Sequence, residues 1–325
     1  MAERYIIVNG GIGIDSTVIG DIRYYIPLMG VSVEDIKDII ATWLDLSTVT
    51  IPEDFEVVGG TIITGSESWT PSSSVFVSGR SITIPDMYVC DHEVTQAEYE
   101  KYCKYGSESP RSSYGAGDNY PAYYVSWYDA IVYCNLRSID EGLTTAYKIG
   151  GETDPAEWSG IVGDSVNGYC GPSSCNSTWN ALTYDKEADG YRLPTEVEWE
   201  YIAREAGTST TTYSGSDTVD EVAWYYSNSS NKIHEVKGKN VNSLGIYDMS
   251  GNVWKWCYDW YGAVSSSTAD TGTSSGSSGV HRGGSWYSSD HGCQVSSQNY
   301  DLPNDRGNKG GFRVVRSASY RWLAL

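Results

Sequence analysis

The sequence of 325 residues predicts a loop-rich α+β domain with few helices. From Phe55 onward, short β-rich runs are separated by Gly, Ser and Asn, a pattern typical of strands joined by irregular loops. Only three segments in this part carry clear helix starts, and from about Thr208 the chain is dominated by Gly, Ser and Asn. No internal repeat of roughly 20 to 50 residues is present, which argues against propellers and solenoids.

Residues 1–54 are predicted to form a small acidic α/β element ahead of the main domain, residues 55–325. A β-branched run over residues 5–8 indicates a strand. Ser32 followed by Asp35 is an N-cap signal, and the residues behind it are apolar at helical spacing: Ile36, Ile39, Ile40 and Trp43. This element either packs on the main domain or is an independent interaction module.

The three helices predicted in the main domain share one start signal, a hydroxyl side chain followed three residues later by an acid. Each side chain can accept a hydrogen bond from the other's backbone N–H, which satisfies donors that a helix start otherwise leaves free. The pairs are Thr95 with Glu98, Ser126 with Asp129, and Thr195 with Glu198. Gly207 is predicted to end the third helix, because glycine readily takes the left-handed conformation.

The net charge restricts the classes of partner. The chain holds 42 acidic and 22 basic side chains, a net charge of −20. Such a chain repels phosphate backbones and anionic headgroups, so no nucleic-acid partner is expected. No run reaches the roughly 18 apolar residues needed to cross a bilayer, so direct membrane insertion is not expected either. No secretory signal or lipobox is visible.

The reactive residues form no known catalytic constellation. The four histidines lack zinc-site spacing: His92, His234, His281 and His291. Cys170 and Cys175, in CGPSSC, are close enough in sequence for a small structural disulfide, with a redox or metal role as the alternative. Matches to the serine-hydrolase pattern G-x-S-x-G within residues 272–279 lack a flanking strand and helix.

Six longer motifs occur between about Phe55 and Ser317. They are EVTQAEYEKYC (93–103), VSWYDAIVYC (125–134), YRLPTEVEWEY (191–201), LGIYDMSGNVWKWCYDWY (244–261), RGGSW (282–286) and GGFRVVRS (310–317). In this order they resemble the formylglycine-generating-enzyme, or sulfatase-modifying factor, family. The resemblance implies a C-type lectin fold in the variant that this family has.

The resemblance also allows the catalytic residues of the family to be compared with this chain. The family's oxidase carries two cysteines, five residues apart after GGS, that bind Cu(I) as soft thiolates. The second of these positions is Cys293 in this chain, but the first is Ser288. Because a hydroxyl does not replace a thiolate, the chain is expected to be no enzyme and to need no cofactor. The alternative is a divergent metal-dependent oxidase of the formylglycine-generating-enzyme type.

The calcium site of the family is expected to be degenerate here. The resemblance places its ligands at the Asp248 side chain, at the carbonyls of Gly251 and Val253, and at a carboxylate where this chain has Lys255. An ammonium has the wrong charge for a Ca²⁺ cage, so no metal is expected. Lys255 is predicted to enter the site and pair with Asp248, and the alternative is that it points to solvent.

The segment between RGGSW and GGFRVVRS is predicted to be a binding face. Its Tyr, Ser, Asn, Asp, Gly and His are favoured in antibody-like paratopes, where tyrosine gives rigid contact area and small polar residues adapt. Cys293 and Val295 are its expected core anchors, and Leu302 and Pro303 stay undecided. The alternative is an ordinary polar surface loop.

This layout resembles the variable proteins of diversity-generating retroelements, above all their treponemal members, in which adenine-directed mutagenesis rewrites the codons of displayed residues. The resemblance implies a variable segment at about residues 287–308, with Gln294, Gln298 and Lys309 fixed. The implied ligand contacts are Tyr287, Ser288, Ser289, His291, Gly292, Asn299, Tyr300, Asp301, Leu302, Asn304, Asp305, Gly307 and Asn308.

Together these expectations describe a monomeric, non-enzymatic protein that displays exchangeable side chains to an unknown protein or other surface ligand. A rigid frame that includes Trp254, Trp256 and Trp286 would let those side chains change without unfolding the domain. Tyr287 and Tyr300 are the expected hot spots. The resemblance implies a location at the cell surface or outside the cell, as a lipoprotein in some relatives. A structural surface protein without a specific ligand is a further alternative.

Overall fold

The computed structural model describes residues 5–8, 11–14, 54–65, 69, 71–273 and 275–318. The chain divides into two compact units, Met1–Pro52 and Glu53–Leu325. In the first, strands β1 (Tyr5–Val8) and β2 (Gly11–Ile14) form an antiparallel hairpin. The strand expected at residues 5–8 is therefore present, whereas the helix predicted behind Ser32 lies outside the described residues.

The second unit consists of short strands and few helices, as the sequence predicts. Its described strands are β3 (Phe55–Val58), β4 (Thr61–Thr64), β5 (Ser81–Ile84), β6 (Met87–Cys90), β7 (Tyr147–Lys148), β8 (Val162–Asp164), β9 (Gly168–Cys170), β10 (Thr183–Tyr184), β11 (Tyr191–Arg192), β12 (Trp254–Trp260), β13 (Gly279–Arg282), β14 (Gln298–Asp301), β15 (Gly310–Phe312) and β16 (Val315–Ser317). Its described helices are α1 (Gln96–Glu100), α2 (Trp127–Asp140), α3 (Ser177–Asn180), α4 (Glu196–Ala203) and α5 (Val219–Val222), with 3₁₀ turns at Pro155–Glu157 and His291–Cys293. None of the described helices has the length and apolar character that a membrane span requires.

The three predicted helix starts are confirmed. Thr95, Ser126 and Thr195 cap α1, α2 and α4, and each forms a complete capping box with the acid three residues later. The single-turn helices α3 and α5 carry no such box, and the sequence pattern does not predict them.

Helix α4 ends earlier than its predicted stop at Gly207. Its last residue is Ala203, and Glu205 and Ala206 already have left-handed backbone angles, with φ of 54° and 58°. The Ala206 N–H still closes the helix end by donating to the Tyr201 carbonyl at 3.0 Å. Gly207 has the predicted left-handed conformation, with φ of 76°, but the helix has already ended and two non-glycine residues before it share this conformation.

Two four-stranded sheets organise the second unit, with strand orders β11-β16-β6-β3 and β14-β13-β12-β15. In the latter sheet β15 runs parallel to β12, and the other pairs are antiparallel. The GGFRVVRS motif supplies β15 to one sheet and β16 to the other. Between them, the buried Arg313 donates to the carbonyls of Cys90 and Tyr247, so this motif links the two sheets.

Tryptophan side chains join the long helix α2, and the residue that precedes its cap, to strand β12 in the core. Trp127 and Trp256 are buried in one cluster with Phe312. The Trp127 indole N–H donates to the Cys257 carbonyl at 2.9 Å, and that of Trp256 donates to the Val125 carbonyl at 3.0 Å. Each ring removes a large apolar area from water while its N–H satisfies a carbonyl. A chain with many loops can thus keep a packed core.

Arg282, the last residue of β13 and the first of RGGSW, fixes the middle of the predicted variable segment. Its buried guanidinium donates to three successive carbonyl oxygens of residues 295–297, at 3.1, 2.9 and 2.9 Å. Two acids of α4 compensate its charge: Glu200 is hydrogen-bonded to it, and the Glu196 carboxylate lies 3.6 Å from its Nε. The two acids of α4 therefore hold the Arg282 guanidinium, and the guanidinium in turn holds the main chain of residues 295–297.

We expect Arg282→Lys to lower the free energy of unfolding by about 3–5 kcal/mol, because an ammonium cannot replace the planar fork and leaves buried partners unpaired. Urea unfolding followed by circular dichroism measures this loss. The matched control is Arg111→Lys, since Arg111 forms an exposed pair with Glu108 and should lose less than about 1 kcal/mol. Equal losses for both variants would contradict the central role of Arg282.

Candidate ligand-binding face

The predicted contact residues of the segment 287–308, called the display segment below, are all at least partly accessible. The exposed ones are Tyr287, Ser289, His291, Asn299, Tyr300, Asp301, Leu302, Asp305 and Gly307, and the partly exposed ones are Ser288, Gly292, Asn304 and Asn308. Cys293 and Val295 are buried, as predicted for core anchors. Of the undecided pair, Pro303 is buried and Leu302 is exposed.

The framework holds the display segment largely through its backbone carbonyls. Besides the Arg282 bonds, three donors of the framework reach the second half of the segment: Tyr124 N–H to Gly307 O (3.0 Å), Tyr128 N–H to Pro303 O (3.2 Å), and the Trp286 indole N–H to Asn308 O (2.8 Å). Because every residue type carries the same carbonyl, these bonds do not depend on which side chains the segment carries.

Two side chains of the segment that are not predicted contacts also anchor it. Arg306 makes two hydrogen bonds, at 2.7 and 2.8 Å, to the carboxylate of Asp129 at the start of α2. Gln298, predicted to be fixed, donates to the Glu196 carboxylate at 2.6 Å. The anchoring side chains are thus distinct from most of the predicted contacts.

Four predicted contacts have side-chain hydrogen bonds within the protein. The Ser289 hydroxyl and the Asn299 amide oxygen accept from the backbone N–H groups of Gly292 and Tyr300, at 3.4 and 2.9 Å, within the display segment. The other two, Ser288 and Asn304, bond to residues outside it. The Ser288 hydroxyl accepts a hydrogen bond from the Ser285 backbone N–H at 3.0 Å. The Asn304 amide donates to the Ser173 carbonyl at 3.1 Å, and its Oδ1 lies 2.9 Å from the Cys175 Sγ. Substitution at these two positions changes local packing as well as the surface.

The glycines of RGGSW are required by a close approach of two chain segments. Gly283 and Gly284 have φ of 90° and 77°, which side-chain-bearing residues rarely adopt. A Cβ on Gly284 would lie 2.8 Å from the Cys293 sulfur, and one on Gly283 would lie 2.3 Å from the Met249 carbonyl oxygen. The RGGSW turn therefore packs closely against Cys293, the buried anchor of the display segment, just before that segment begins.

A cavity of about 440 Å³ lies between the display segment and strands β12 and β13. Strand register builds its floor: Trp256 lies opposite His281, and His281 lies opposite Asn299, so these side chains stand in a row on one face of the sheet. Trp254 extends that face. The display segment contributes these wall residues: Asn299, Asp301, Asp305, Arg306, Gly307 and Asn308.

The two predicted hot-spot tyrosines have separate surroundings. Tyr287, 47% exposed, packs edge-on against Tyr226, and the Lys309 ammonium lies 4.1 Å from its ring centre. Since Lys309 lines the cavity, Tyr287 adjoins the cavity. Tyr300 is equally exposed and stacks on Tyr261 at 3.9 Å.

Alternation along β14 separates Tyr300 from the cavity. Successive side chains of a strand point to opposite faces, and Asn299 and Asp301 line the cavity. Tyr300 therefore points to the other side of this edge strand. The residues 299–302, which the sequence presents as one run of contacts, form two surfaces.

The two positions that the family resemblance assigns to the oxidase cysteines, Ser288 and Cys293, hold a partly exposed hydroxyl and a buried thiol. Burial raises the pKa of Cys293 to about 12, so its thiol stays protonated at neutral pH. Soft metals bind the thiolate and not the thiol. The Ser288 hydroxyl lies 3.2 Å from the Ser285 hydroxyl. Neither residue offers the donor that Cu(I) prefers.

Lys255 enters the predicted calcium site, but the predicted ion pair with Asp248 is wrong. Its fully buried ammonium contacts the Glu93 carboxylate at 2.9 Å and donates to the Gly251 carbonyl at 2.6 Å. Asp248 instead accepts a hydrogen bond from the Lys237 backbone N–H at 2.7 Å. Glu93, and not Asp248, is the ion-pair partner of Lys255, because the Glu93 carboxylate is buried in direct contact with the ammonium. Each of the two groups compensates the charge of the other.

The Glu93–Lys255 pair is fully buried, and burial opposes the charge of both partners. It lowers the pKa of Lys255, and it raises the pKa of Glu93 to about 7 even though Lys255 opposes that rise. The Glu93 carboxylate also accepts hydrogen bonds from the Asn252 amide at 2.8 Å and from the Val253 backbone N–H at 3.2 Å. The Lys255 ammonium thus lies among the groups that the family resemblance assigns to a calcium site.

The predicted disulfide between Cys170 and Cys175 is not formed. Both residues are free thiols, Cys170 buried and Cys175 exposed.

Three residues of the face are missing from the sequence prediction. Tyr226 and Tyr261 support the displayed tyrosines, and both are unusually exposed for aromatic residues, at 57% and 41%. His281 lies on the cavity floor. Its place next to RGGSW, in a strand opposite the WKW run, is the signal that could have pointed to it.

Comparisons with known proteins agree with this architecture. A family model described as "Sulfatase-modifying factor enzyme 1-like domain" matches residues 44–318. The chaperone protein LppX of Paenibacillus barcinonensis is 35% identical over 288 residues, which cover 82% of this chain and 91% of that protein. The formylglycine-generating enzyme of Streptomyces coelicolor is 31% identical over 162 residues, which cover 43% of this chain and 51% of the enzyme. This chain therefore matches about half the length of that enzyme.

Among solved structures, Treponema denticola variable protein 1 is similar with a TM-score of 0.65 and 28% identity, over 82% of this chain and 97% of that chain. The structure of CarF is similar with a TM-score of 0.58 and 23% identity, over 82% of this chain and 99% of that chain, a likeness of fold. These findings confirm the predicted C-type lectin fold in its formylglycine-generating-enzyme variant, and the resemblance to a treponemal variable protein.

We expect Lys255→Met to destabilise the protein by about 3–5 kcal/mol at pH 8, because it leaves the Glu93 charge buried without a partner. The folded-state pKa of Glu93, about 7, lies above its ordinary value of 4.5. Its contribution to stability is therefore full below pH 4.5 and is lost as the pH rises through 7. Loss of the ammonium raises this pKa further, so the variant should lose less stability at pH 5 than at pH 8.

Urea unfolding at the two pH values measures the difference. The control is Lys255→Met combined with Glu93→Gln, in which no charge remains at the pair and the extra loss at pH 8 should disappear. A loss for Lys255→Met that is the same at both pH values would show that Glu93 does not carry the buried charge.

Proposed function

This chain belongs to the family of sulfatase-modifying factor enzyme 1-like domains, and we propose that it is a non-enzymatic binding protein of that family. Its display segment presents exchangeable side chains that recognise a protein or another surface ligand. The framework motifs keep the segment in one conformation while its exposed residues differ.

The anchoring of the display segment through backbone carbonyls carries this proposal. Arg282, Tyr124 and Tyr128 bind carbonyl oxygens of the segment. Most predicted contacts point to solvent. A surface that is fixed mainly by its main chain tolerates substitution of its exposed side chains, because few contacts with the folded core are lost.

Recognition would centre on Tyr287 and the neighbouring cavity. A tyrosine offers a large rigid contact area at low entropic cost, and Tyr226 supports this one from outside the display segment. Tyr300 with Tyr261 would form a second contact area on the other side of β14. A ligand that covers both must reach around the edge of the sheet.

The replacement of one oxidase cysteine by Ser288 and the neutral, buried thiol of Cys293 support the non-enzymatic assignment. Among the relatives, one is named a variable protein and one a chaperone, although others are formylglycine-generating enzymes. The partner would be a protein or other surface ligand met at the cell surface or outside the cell. A net charge of −20 argues against nucleic acid.

We expect a variant with Tyr287→Ser, His291→Asn, Asn299→Asp and Asp305→Asn to fold like the wild type, with a Tm within about 4 °C, because exposed substitutions each cost about 0.5 kcal/mol or less. Differential scanning calorimetry measures Tm. The matched control within the same motif region is Trp286→Ser, which should lower Tm by about 10 °C because a buried tryptophan is lost.

A fourfold variant as unstable as Trp286→Ser would contradict display, since the exposed side chains would then belong to the folding core. In nature, gene sequences from several isolates should differ mainly within residues 287–308, with RGGSW and GGFRVVRS unchanged. Differences spread evenly along the chain would favour an ordinary surface protein.

For the rival oxidase, an anaerobic Cu(I) titration against a chromogenic chelator is decisive. We expect no tight, stoichiometric site in the wild type, because a single protonated thiol is a poor Cu(I) ligand. The control Cys175→Ser removes the exposed thiol and with it any weak adventitious binding. One tightly bound copper per chain that is lost on Cys293→Ala would overturn the assignment.

A further inference from the structure

The cavity beside the display segment combines acids with aromatic faces. Asp301 and Asp305 line it together with Trp254 and Trp256, and both acids are exposed at its edge. A positively charged organic group is attracted by both features, because a carboxylate pairs with its charge and the face of an indole ring attracts it through the ring quadrupole. An anion would meet like charges in the same place.

The two basic residues of the cavity are directed elsewhere. The Arg306 guanidinium makes its two hydrogen bonds to Asp129, which lies outside the cavity lining. The Lys309 ammonium lies over the ring of Tyr287. Neither of these two cations pairs with Asp301 or Asp305, and the nearest basic group to Asp301 is His281, at 3.2 Å.

His281 gives an independent indication of a ligand. Its side chain is 3% exposed, and within the described residues neither ring nitrogen has a hydrogen-bond partner. Its Nε2 lies 3.2 Å from Asp301 Oδ2, without the alignment of a hydrogen bond, and the rings of Trp254 and Trp256 flank it at 4.9 Å each.

Buried polar groups in folded proteins nearly always have a partner. A ligand N–H that binds the Asp301 carboxylate would approach the imidazole, because its Nε2 lies 3.2 Å from that carboxylate. The unpartnered histidine thus calls for the same kind of group, a nitrogen donor, as the two acids.

We propose that this cavity binds an organic cation, an ammonium or guanidinium group such as the end of a lysine or arginine side chain. This inference rests on the proposed function and names the ligand chemistry of its central site. Trp254, Trp256 and His281 lie outside the display segment and form a constant floor, whereas Asp301 and Asp305 belong to the exchangeable part. The volume of about 440 Å³ is in the range of small-ligand pockets.

The test uses the full chain with ¹⁵N-labelled tryptophan indoles, followed by NMR during titration with capped amino-acid amides. We expect N-acetyl-lysine and N-acetyl-arginine methylamides to shift the Trp254 indole signal saturably, and the neutral N-acetyl-norleucine methylamide to leave it unchanged. The signal is assigned with Trp254→Phe. Tetramethylammonium, which has no N–H, is a further arm, because saturation by it alone would show that the site binds a cation through the rings and not a basic side chain through hydrogen bonds, and would overturn the proposal.

The decisive variant is Asp301→Asn with Asp305→Asn, which should weaken binding of the cationic amides about tenfold or more. Its matched control is Asp118→Asn with Asp290→Asn, which changes the net charge equally at two exposed acids outside the cavity. Equal weakening by both pairs, or equal binding of lysine and norleucine amides, would overturn the proposal.

Failure of this inference is distinguishable from failure of the proposed function. If the cationic amides do not bind while the fourfold display variant keeps its Tm, the cavity takes another ligand class and the display surface stands. If that fourfold variant unfolds, the display function itself falls, whatever the amides do.

Discussion

The buried guanidinium of Arg282 is the interaction on which the binding face depends. A buried cation is costly unless its charge and all of its donors find partners. Helix α4 supplies the charge compensation with Glu196 and Glu200, and the carbonyls of residues 295–297 accept hydrogen bonds from the two terminal nitrogens, whereas Nε has only the Glu196 charge nearby. The same atoms that satisfy the arginine therefore determine the path of the display segment. Because these partners are main-chain oxygens, stability makes little demand on the side chains that the segment displays.

Signals confined to a few neighbouring residues were sufficient for part of the fold. Each capping box joins residues three apart, so the starts of α1, α2 and α4 are visible in the sequence. The exposure of the display segment also follows from its polar composition, with Cys293 and Val295 as the apolar exceptions. Interactions between distant segments were not accessible in this way. The partner of Lys255 is Glu93, at the start of another motif, whereas the family resemblance placed Asp248 in the same site.

Strand geometry decides how the displayed residues are shared between surfaces. The sequence presents residues 299–301 as one polar run, but β14 places their side chains alternately towards the cavity and on the outer side of the sheet edge. This alternation can be predicted only if β14 is first identified as a strand. Its residues are mostly exposed and polar, so the sequence lacks the alternation of apolar and polar residues that indicates a strand. The outcome is two adjoining contact areas, one concave and lined by acids, the other flat and formed by stacked tyrosines.

The buried Lys255–Glu93 pair is connected to the display segment through a short series of hydrogen bonds. Glu93 accepts from the Asn252 side chain, and the Asn252 carbonyl accepts from the Trp286 backbone N–H at 2.7 Å. The Gly251 N–H also donates to the Gly283 carbonyl at 2.7 Å, while the Gly251 carbonyl binds the Lys255 ammonium. The internal cation thus orders the loop that supports both ends of the RGGSW turn. A bound metal would make this support depend on ion concentration, whereas a covalently attached ammonium supplies it permanently, and the display segment begins from a turn of fixed geometry.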